Sequence, residues 1–353
     1  MEIYLRSAGL ISAQRTLGED FFSMSPEAKK GDELKCIEPD YSQWIEPKWM
    51  RRMSRVIKMG TAAAMECLRQ ANIKSPDAVI TGTAYGCLED TEIFLKKMVE
   101  NKEELLSPTS FIQSTHNTVG AQIALLLQCH RYNNTHVHRA FSFENALLDA
   151  MILLQGYEAS NVLVGGVDEI TRISHEILQR FGLYKREGIP EDGGRYHQSA
   201  IAGEGAGFFM LSSVKTEDAM CRLDGLSTFY KPPGINDIEK NISGFLDMQS
   251  LTLSDVDLVI TGENGSPAQV ASPGSFSRKL FPENFLIPYK NLSGEFPTSP
   301  IFALWLAMEI IKKSAVPQWL SPAKPLSEQK INHILIYNSY YLNHHSIYLV
   351  SAC

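Results

Sequence analysis

The sequence predicts an α/β fold made of two similar halves, and three observations lead to that prediction. Residues 135–168 have the pattern of a strand, a sharp turn, a helix, a loop and a second strand. The tetrapeptide Val-Ile-Thr-Gly closes a predicted strand at 79–82 and again at 259–262. Each half then carries a later apolar strand, at 161–166 and at 333–338. A duplicated α/β unit would explain both pairs.

The chain is long enough to bury one large core or two fused halves. Of its 353 residues, 44% are hydrophobic and 21% are charged, which is the composition of an ordinary globular protein. We expect a single domain over residues 1–353, divided into an N-terminal half at 1–210 and a C-terminal half at 211–353.

Composition also excludes several classes of function. A net charge of −7 argues against nonspecific nucleic-acid binding, which needs a broad basic surface. The longest apolar run, 301–308, is too short to cross a membrane, and no signal-peptide pattern opens the chain, so we expect a cytoplasmic protein. The cysteines have no CxxC spacing, which favours reduced thiols over disulfides or a metal site. They are Cys36, Cys67, Cys87, Cys129, Cys221 and Cys353.

The first half has a recognisable order of local patterns. They predict a strand at 2–11, a polar excursion from the core at 27–47, a helix at 48–68, a strand and turn at 78–86, a helix around 90–100, a loop at 107–117 and a helix at 118–129. Pro47 is a favourable residue for starting the helix at 48–68. The helix at 118–129 is apolar nearly all round and should be buried.

Four basic residues are spaced to share one face of the predicted helix at 48–68. Lys48, Arg51, Arg52 and Arg55 fall at i, i+3, i+4 and i+7. No carboxylate occurs between residues 48 and 65, which is unusual in an acidic protein. The stripe is therefore either a solvated face or a surface that docks an anionic partner.

Residues 135–168 are the centre of the predicted functional site. A buried strand that turns sharply into a helix exposes one side chain at the turn, while free backbone N–H groups and the helix dipole face developing negative charge. This is the geometry of an active-site elbow. Ser142 can cap the helix. The glycine-rich run at 202–211 lacks a Lys-Ser/Thr pair and a following helix, so it is not a phosphate loop, and its glycines permit close backbone approach.

These features resemble the β-ketoacyl-acyl-carrier-protein synthases, condensing enzymes of the thiolase fold, over roughly residues 45–350. In that family the elbow is Cys-x-Ser-Gly, and the following strand ends in Gly-Gly-x-Glu. Counting back from Gly-Gly-Val-Asp at 165–168 places Ala140 on the nucleophilic Cys, Ser142 on the Ser and Phe143 on the Gly. Further matches lie at 203–207, 289–294 and 338–339. The resemblance implies duplicated α/β halves in a layered αβαβα arrangement.

By the same resemblance, the side chains that catalyse condensation are missing. The first catalytic histidine of the family matches Gly262, and the second matches Glu295, beside the retained Lys290. Alanine at 140 cannot form a thioester, and a carboxylate at 295 would repel an enolate. The family's glycine-rich turn, which shapes the oxyanion hole, appears as bulky residues at 341–345. We therefore expect no condensation by this chain alone, although it belongs by resemblance among acyltransferases.

Other residues leave alternatives open. Ser142 or the Glu295 carboxylate could serve a thioesterase-like, decarboxylating or condensing enzyme that acts on acyl carrier protein. His344 and His345 could supply a displaced imidazole, although we favour side chains that fill a turn. For Cys87 we favour buried packing over a reactive thiol.

The resemblance also implies a role. Chain-length factors are synthase relatives that lack the nucleophile, form a heterodimer with an active ketosynthase and help to shape its acyl tunnel. Phe143 and Leu342 would line or narrow that cavity, and the strand at 135–140 matches the family's dimer-interface strand. The basic stripe resembles the docking surface for acyl carrier protein, whose phosphopantetheine arm carries the substrate, with no cofactor bound by the chain itself. Polyketide, aryl-polyene or fatty-acid-like pathways are implied, with a homodimer or a pure carrier-protein docking scaffold as alternatives.

Overall fold

A computed structural model describes residues 2–18, 20–27, 31–186, 197–270, 276–320 and 330–353. The strands are β1 (Tyr4–Ile11), β2 (Glu33–Leu34), β3 (Ala78–Gly82), β4 (Tyr132–His136), β5 (Asn161–Asp168), β6 (Ala202–Gly203), β7 (Gly205–Ser212), β8 (Cys221–Tyr230), β9 (Leu258–Thr261), β10 (Phe285–Pro288), β11 (His333–Tyr340) and β12 (His344–Ser351). The helices are α1 (Pro47–Met50), α2 (Arg55–Gln70), α3 (Leu88–Glu100), α4 (Pro108–Gln113), α5 (Thr118–Leu126), α6 (Ser142–Gln155), α7 (Arg172–Arg180), α8 (Ile235–Met248), α9 (Pro267–Val270), α10 (Phe276–Leu280), α11 (Lys290–Ser293) and α12 (Pro300–Lys313).

The duplication predicted from the repeated tetrapeptide is confirmed by the order of the strands. The first half runs β4-β3-β5-β7-β1 and the second runs β10-β9-β11-β12-β8, and the two are joined through β1 and β8 into one ten-stranded sheet. In each half the first three strands are parallel and the next two pair antiparallel. The strands that end in the repeated tetrapeptide, β3 and β9, occupy equivalent places.

Helices cover both faces of the strands in the layered αβαβα arrangement that the resemblance implied. The central core buries α6 and α12 against strands of both halves. One outer core packs α2 and α5 on strands of the first half, and another packs α8 on strands of the second. The central helices are apolar because both of their faces meet sheet residues, and α12 is buried at most of its positions. The elbow before α6 therefore lies next to the junction of the halves.

The predicted helix at 48–68 is wrong in one respect. The chain forms a short helix, α1, then turns at residues 51–52 and restarts as α2 at Arg55. The four basic residues therefore do not share one helical face. Arg55 lies on α2, whereas Arg51 and Arg52 lie in the turn.

Three other local predictions are also corrected. The stretch at 27–47 contributes Cys36, Tyr41 and Ile45 to the outer core, because these apolar side chains pack under α2. The predicted loop at 107–117 contains α4. Helix α5 buries only one face, and Leu125 is 55% exposed on the other.

The described residues include no helix long and apolar enough to cross a membrane. Nor do they contain a cluster of His, Cys, Asp or Glu side chains with the arrangement of a metal site. All the cysteines are free thiols, and only Cys353 is exposed.

Candidate functional site

The elbow forms between β4 and α6, as the sequence predicts, but its tip is Arg139. Arg139 has a left-handed backbone with φ of 51°, an uncommon conformation for a residue other than glycine. Ala140 and Phe141 follow in a short 3₁₀ turn, and α6 begins at Ser142. In this turn the Arg139 residue is exposed at the surface, whereas the next residue, Ala140, is buried beneath it.

Ala140 is fully buried beneath two tyrosines. It packs with Tyr340 and Tyr341, which are themselves 5% and 6% exposed. The Tyr341 hydroxyl donates a hydrogen bond of 2.9 Å to the Leu183 carbonyl and so fixes this cover. The position matched to the family's nucleophile thus carries a methyl group and is closed to solvent.

Ser142 serves the backbone of the turn. Its Oγ accepts a hydrogen bond from the His138 N–H at 2.9 Å and donates one to the Arg139 carbonyl at 3.0 Å. The side chain is fully buried, and its hydrogen bonds within the described chain include none to an imidazole, amine or carboxylate. A hydroxyl without a base is not activated as a nucleophile.

Gly262 leaves no room for a histidine in the present packing. A Cβ atom built there would lie 2.5 Å from Asn338 Oδ1 and 2.9 Å from its Cα. Asn338 is held in place because its Oδ1 accepts a hydrogen bond from Tyr289 Oη at 2.9 Å. A side chain at 262 would therefore displace Asn338.

Glu295 forms a buried ion pair with Lys290. The Lys290 Nζ lies 2.9 Å and 3.0 Å from the two carboxylate oxygens, and neither side chain is exposed. Asn264 Nδ2 donates to Glu295 at 2.8 Å, and Nζ donates to the Ser339 carbonyl at 2.9 Å. Burial raises the pKa of Glu295 and lowers the pKa of Lys290, while each charge favours the other. The retained lysine is neutralised in place, and the carboxylate is not presented to a substrate.

The bulky turn that replaces the family's glycines is built from left-handed residues. Tyr341 and Leu342 have φ of 49° and 55°. His345 is in the core, where its Nδ1 pairs with Tyr337 Oη at 2.8 Å, and burial lowers its pKa to about 4. His344 begins β12 and lines an open cleft beside the elbow. The expectation that the histidines fill the turn fits His345, whose Nε2 lies 3.2 Å from the Leu342 carbonyl oxygen of the turn, but not His344, which faces the cleft.

The two residues expected to line an acyl tunnel, Phe143 and Leu342, do not line the open cleft beside the elbow. Phe143 is fully buried in the central core, with its ring 5.8 Å from that of Phe209. Phe143 packs there because α6 turns the face that carries this residue towards β3 and β5, where it lies against Gly82 and Gly166. Leu342 is half-buried, and it is not among the residues that line the cleft beside the elbow.

The cleft beside the elbow, which we call the elbow cleft, has a volume of about 680 Å³. Its lining residues come from both halves, and they are Ala84, Tyr85, Arg139, Leu178, Phe181, Leu183, Gln198, Tyr340, Tyr341, Asn343 and His344. Sequence reasoning missed Arg139 because the register pointed to residue 140. The only signal in the sequence was a basic residue directly before the matched position.

Asp168, matched to the family's glutamate, ties the halves together behind the cleft. Its carboxylate accepts hydrogen bonds from the Ala84 and Tyr85 N–H groups at 2.8 and 3.1 Å, and from the hydroxyl of Thr298 at 2.8 Å. Burial raises the pKa of Asp168 to about 6, although these hydrogen bonds act to lower it. Asp168 thus positions the turn that carries Tyr85.

Of the basic residues in the predicted docking stripe, Arg55 is committed to the protein interior. It donates to both carboxylate oxygens of the buried Glu204, at 2.8 and 2.5 Å, and to Glu38 at 2.6 Å. Lys48 pairs with Glu46 at the surface. Arg51 and Arg52 are exposed, and within the described ranges neither forms an ion pair.

Two further predictions hold. Cys87 is fully buried at the start of α3, and burial raises the pKa of its thiol well above the usual range. It is therefore a packing residue. The glycine-rich run does permit close approach, since a Cβ on Gly203 would lie 2.2 Å from the Ser293 carbonyl oxygen.

Comparison with known proteins supports the family resemblance in sequence and in fold. Residues 27–178 match the family model "Beta-ketoacyl synthase, N-terminal domain". None of the curated protein sequences matches the chain. Solved structures similar to it include the ishigamide ketosynthase/chain length factor, with 16% identity, 100% of this chain and 99% of that one covered, and a TM-score of 0.79.

Two other similar structures are complexes. A ketosynthase (ApeO) with its chain length factor (ApeC) from Xenorhabdus doucetiae is 13% identical, with 100% and 98% coverage and a TM-score of 0.75. AntDE:AntF, a type II PKS acyl-carrier protein in complex with its ketosynthase bound to the hexaketide, is 15% identical, with 100% and 99% coverage and a TM-score of 0.73. At these identities the structures establish the fold alone. The fold is thus that of the ketosynthases over the whole chain, and residues 27–178 are similar in sequence to the N-terminal domain of β-ketoacyl synthases.

Proposed function

We propose that this chain, a β-ketoacyl synthase relative, is a chain-length factor: a non-condensing subunit that pairs with an active ketosynthase. The single observation that carries the proposal is the state of the matched catalytic positions. Ala140 is a buried methyl group, Gly262 has no space for a ring, and Glu295 is neutralised by Lys290. The ketosynthase fold is kept while the three positions needed for one mechanism are filled by packing groups.

The alternative enzymes find no support at the same positions. A hydrolase would need Ser142 beside a base, but the hydroxyl is bonded to backbone groups of its own turn. A decarboxylase that used Glu295 would need the carboxylate at a surface that substrate reaches, whereas it is wholly buried. A docking scaffold without influence on product length remains the competing non-catalytic role.

The partner would be a ketosynthase seated along β4. This strand is at the open edge of the ten-stranded sheet, so its outer backbone groups are available for pairing with another chain. Tyr132 at its start and Val137 directly after its end are 42% and 49% exposed. An unpaired edge strand flanked by two exposed apolar side chains suits a heterodimer, and a homodimer through the same strand is the alternative. Two of the similar structures are ketosynthases with a chain length factor.

Acyl carrier protein would be the second partner, and its phosphopantetheine arm would carry the substrate. In support, one of the similar structures is a complex of a ketosynthase with its acyl-carrier protein. On this chain the exposed cations Lys48, Arg51 and Arg52 are the remaining candidates for docking, since Arg55 is held by Glu204. The product would belong to a polyketide, aryl-polyene or fatty-acid-like pathway.

Mass spectrometry of the chain alone tests the proposal against the enzymes it excludes. The purified chain is incubated with malonyl- and acyl-carrier protein, and both proteins are weighed over time. We expect no covalent adduct and no loss of the malonyl or acyl group beyond that seen without the chain. An adduct on this chain, or consumption that Ser142→Ala or Glu295→Gln abolishes, would establish an enzyme instead.

A further inference from the structure

We propose that the elbow cleft binds an organic carboxylate, with the carboxylate on Arg139 and an apolar body against the tyrosines. This inference goes beyond the proposed partner role and does not depend on it. The inference rests on four features of the cleft. These are the exposure of Arg139, the charges around Arg139, an unpaired polar atom at the cleft, and the apolar character of the cleft walls.

Arg139 is the residue that the elbow presents to the cleft. Its left-handed backbone conformation sets it in front of the buried Ala140, and the residue is exposed. Within the described chain its guanidinium is paired with no carboxylate, unlike Arg55. Burial works to lower the pKa of Arg139, but the nearby Tyr340 and Tyr85 raise it overall. The group therefore stays a cation and has donors to spare.

Basic side chains surround this part of the cleft. The His344 ring is 6.5 Å from that of His138 and 4.6 Å from that of Tyr230, and the Lys231 Nζ lies 5.1 Å from the Tyr230 ring. Burial lowers the pKa of His344, and the charges of His138, Arg139 and Lys231 lower it further, so its ring is favoured in the neutral form. None of the described residues that line the cleft is an aspartate or glutamate, and the buried Asp168 carboxylate behind Ala84 and Tyr85 is engaged by their N–H groups. An anion in the cleft would be attracted chiefly by Arg139.

One buried polar atom at the cleft lacks a partner, and a second is only weakly bonded. His344 Nδ1 makes no hydrogen bond within the described residues. Tyr85 Oη has no hydrogen bond of normal geometry among them, but it interacts with the Arg139 guanidinium and the Tyr340 hydroxyl. An unpaired buried polar atom costs free energy, which a bound ligand removes by supplying the missing partner. A carboxylate can accept both from the planar guanidinium, in a bidentate pair, and from a phenol hydroxyl.

The rest of the wall is apolar and favours a carboxylate with a hydrophobic body. Leu178, Phe181 and Leu183 lie along it, and Tyr340 and Tyr341 pack edge to face with centroids 4.6 Å apart. Ligand sites for small molecules have this character, with apolar and aromatic walls and a few placed polar groups. A volume of about 680 Å³ holds more than a small inorganic ion.

Binding of trans-cinnamate, measured by isothermal titration calorimetry, tests the inference. The full chain is titrated both alone and in its complex with a partner ketosynthase. Both forms are needed because Val137, at the proposed partner interface, is only two residues from Arg139 in the cleft. Cinnamyl alcohol, acetate and inorganic phosphate serve as comparison ligands that lack the charge, the apolar body or the carboxylate geometry. We expect binding of cinnamate, at least about tenfold weaker binding of the alcohol and of acetate, and weaker binding of phosphate.

Variants locate the site. Arg139→Gln should weaken cinnamate binding at least about tenfold, Arg139→Lys less, and Tyr85→Phe a few fold, because the bidentate pair and the phenol contact are removed separately. Arg172→Gln on α7 is the matched control, since its side chain is 90% exposed and does not line the cleft. Circular dichroism and thermal unfolding are used to check that each variant is folded. No binding of cinnamate to either form, equal binding by Arg139→Gln, or preference for phosphate would overturn the inference.

Discussion

The buried pair Lys290 and Glu295 is a structural feature at the residue scale. Both charges are out of water, which is costly, and among the described residues they are compensated by each other, by Asn264 and by the Ser339 carbonyl. The positive charge of Lys290 therefore serves a buried carboxylate.

Removing either charge should therefore destabilise the protein. Lys290→Met or Glu295→Gln alone is expected to lower the free energy of unfolding by about 3–5 kcal/mol, because the remaining charge is left buried and unpaired. The double variant Lys290→Met/Glu295→Met should recover most of that loss. Urea unfolding followed by circular dichroism measures it.

The control for this prediction is a surface ion pair. Arg172 and Glu176 are exposed by 90% and 49%, and the pair Arg172→Met/Glu176→Gln should cost less than about 1 kcal/mol. If the double variant at 290 and 295 were as unstable as the sum of its single variants, the two charges would not be coupled as described.

At the residue scale, the matches of Ala140, Gly262 and Glu295 to the family's catalytic positions rest on counting along the sequence and stay predictions. The structure adds that Ala140 is buried, that Gly262 is closely packed and that Glu295 is paired with Lys290. The left-handed turn at Arg139 could not be predicted in this way, because local sequence gives little warning that a residue other than glycine will adopt a positive φ. Arg139 is therefore the main site residue that sequence reasoning missed.

At the scale of elements, the turn between α1 and α2 changes the docking surface. Without glycine or proline at 51–54, periodicity favours one continuous helix. The chain breaks there, and Arg55 reaches Glu204, which lies 149 residues further along. Contacts so distant in sequence are outside the reach of a helical-periodicity argument, so the stripe of four cations was predicted and only part of it exists at the surface.

Reversing the charge of the turn should weaken carrier-protein docking. In a pair with an active ketosynthase, Arg51→Glu/Arg52→Glu is expected to weaken binding of acyl carrier protein about tenfold and to reduce its salt dependence. Surface plasmon resonance at several salt concentrations gives both quantities.

The matched control is Lys312→Glu/Lys313→Glu. These residues line a surface groove with Gln70, at the C-terminal end of α2, whereas the turn precedes its N-terminal end. With 16 residues, α2 separates the two places by roughly 24 Å. Equal loss of binding from both variants would mean that overall charge, and not the turn, governs docking.

Strand β4 is the element proposed to meet the partner. Val137→Asp would place a charge at the end of this edge strand and should prevent co-purification with the ketosynthase without unfolding the chain, because desolvating an unpaired carboxylate is costly. Val214→Asp is its control, since Val214 is 58% exposed against 49% for Val137 and follows β7. Retention of the partner by Val137→Asp would move the interface away from β4.

At the scale of the whole molecule, duplication explains most of what the sequence made predictable. Each half repeats one order of strands, so a repeated tetrapeptide and two apolar runs sufficed to predict the arrangement. The contacts that join the two halves could not be predicted from the sequence. Asp168 of the first half reaches Thr298 of the second, and Ala140 is covered by Tyr340 and Tyr341, through contacts that only the folded chain brings together.

On the same scale, the two proposals concern neighbouring parts of one region. Ala140 is sealed beneath Tyr340 and Tyr341, whereas the elbow cleft is open beside it. A subunit of this kind would act through the surface it offers to its partner and through what it binds, and the condensing residues would belong to the partner.

The most direct test of this account is product formation by the chain co-expressed with a candidate ketosynthase. After purification, size-exclusion chromatography shows whether the two form a stable heterodimer, and extension of malonyl-carrier protein is followed by mass spectrometry for the pair and for this chain alone. The account predicts a heterodimer in which product forms, is lost when the partner's nucleophilic cysteine is replaced, and never forms with this chain alone. Condensation by this chain alone, or by the pair after loss of the partner's cysteine, would contradict it.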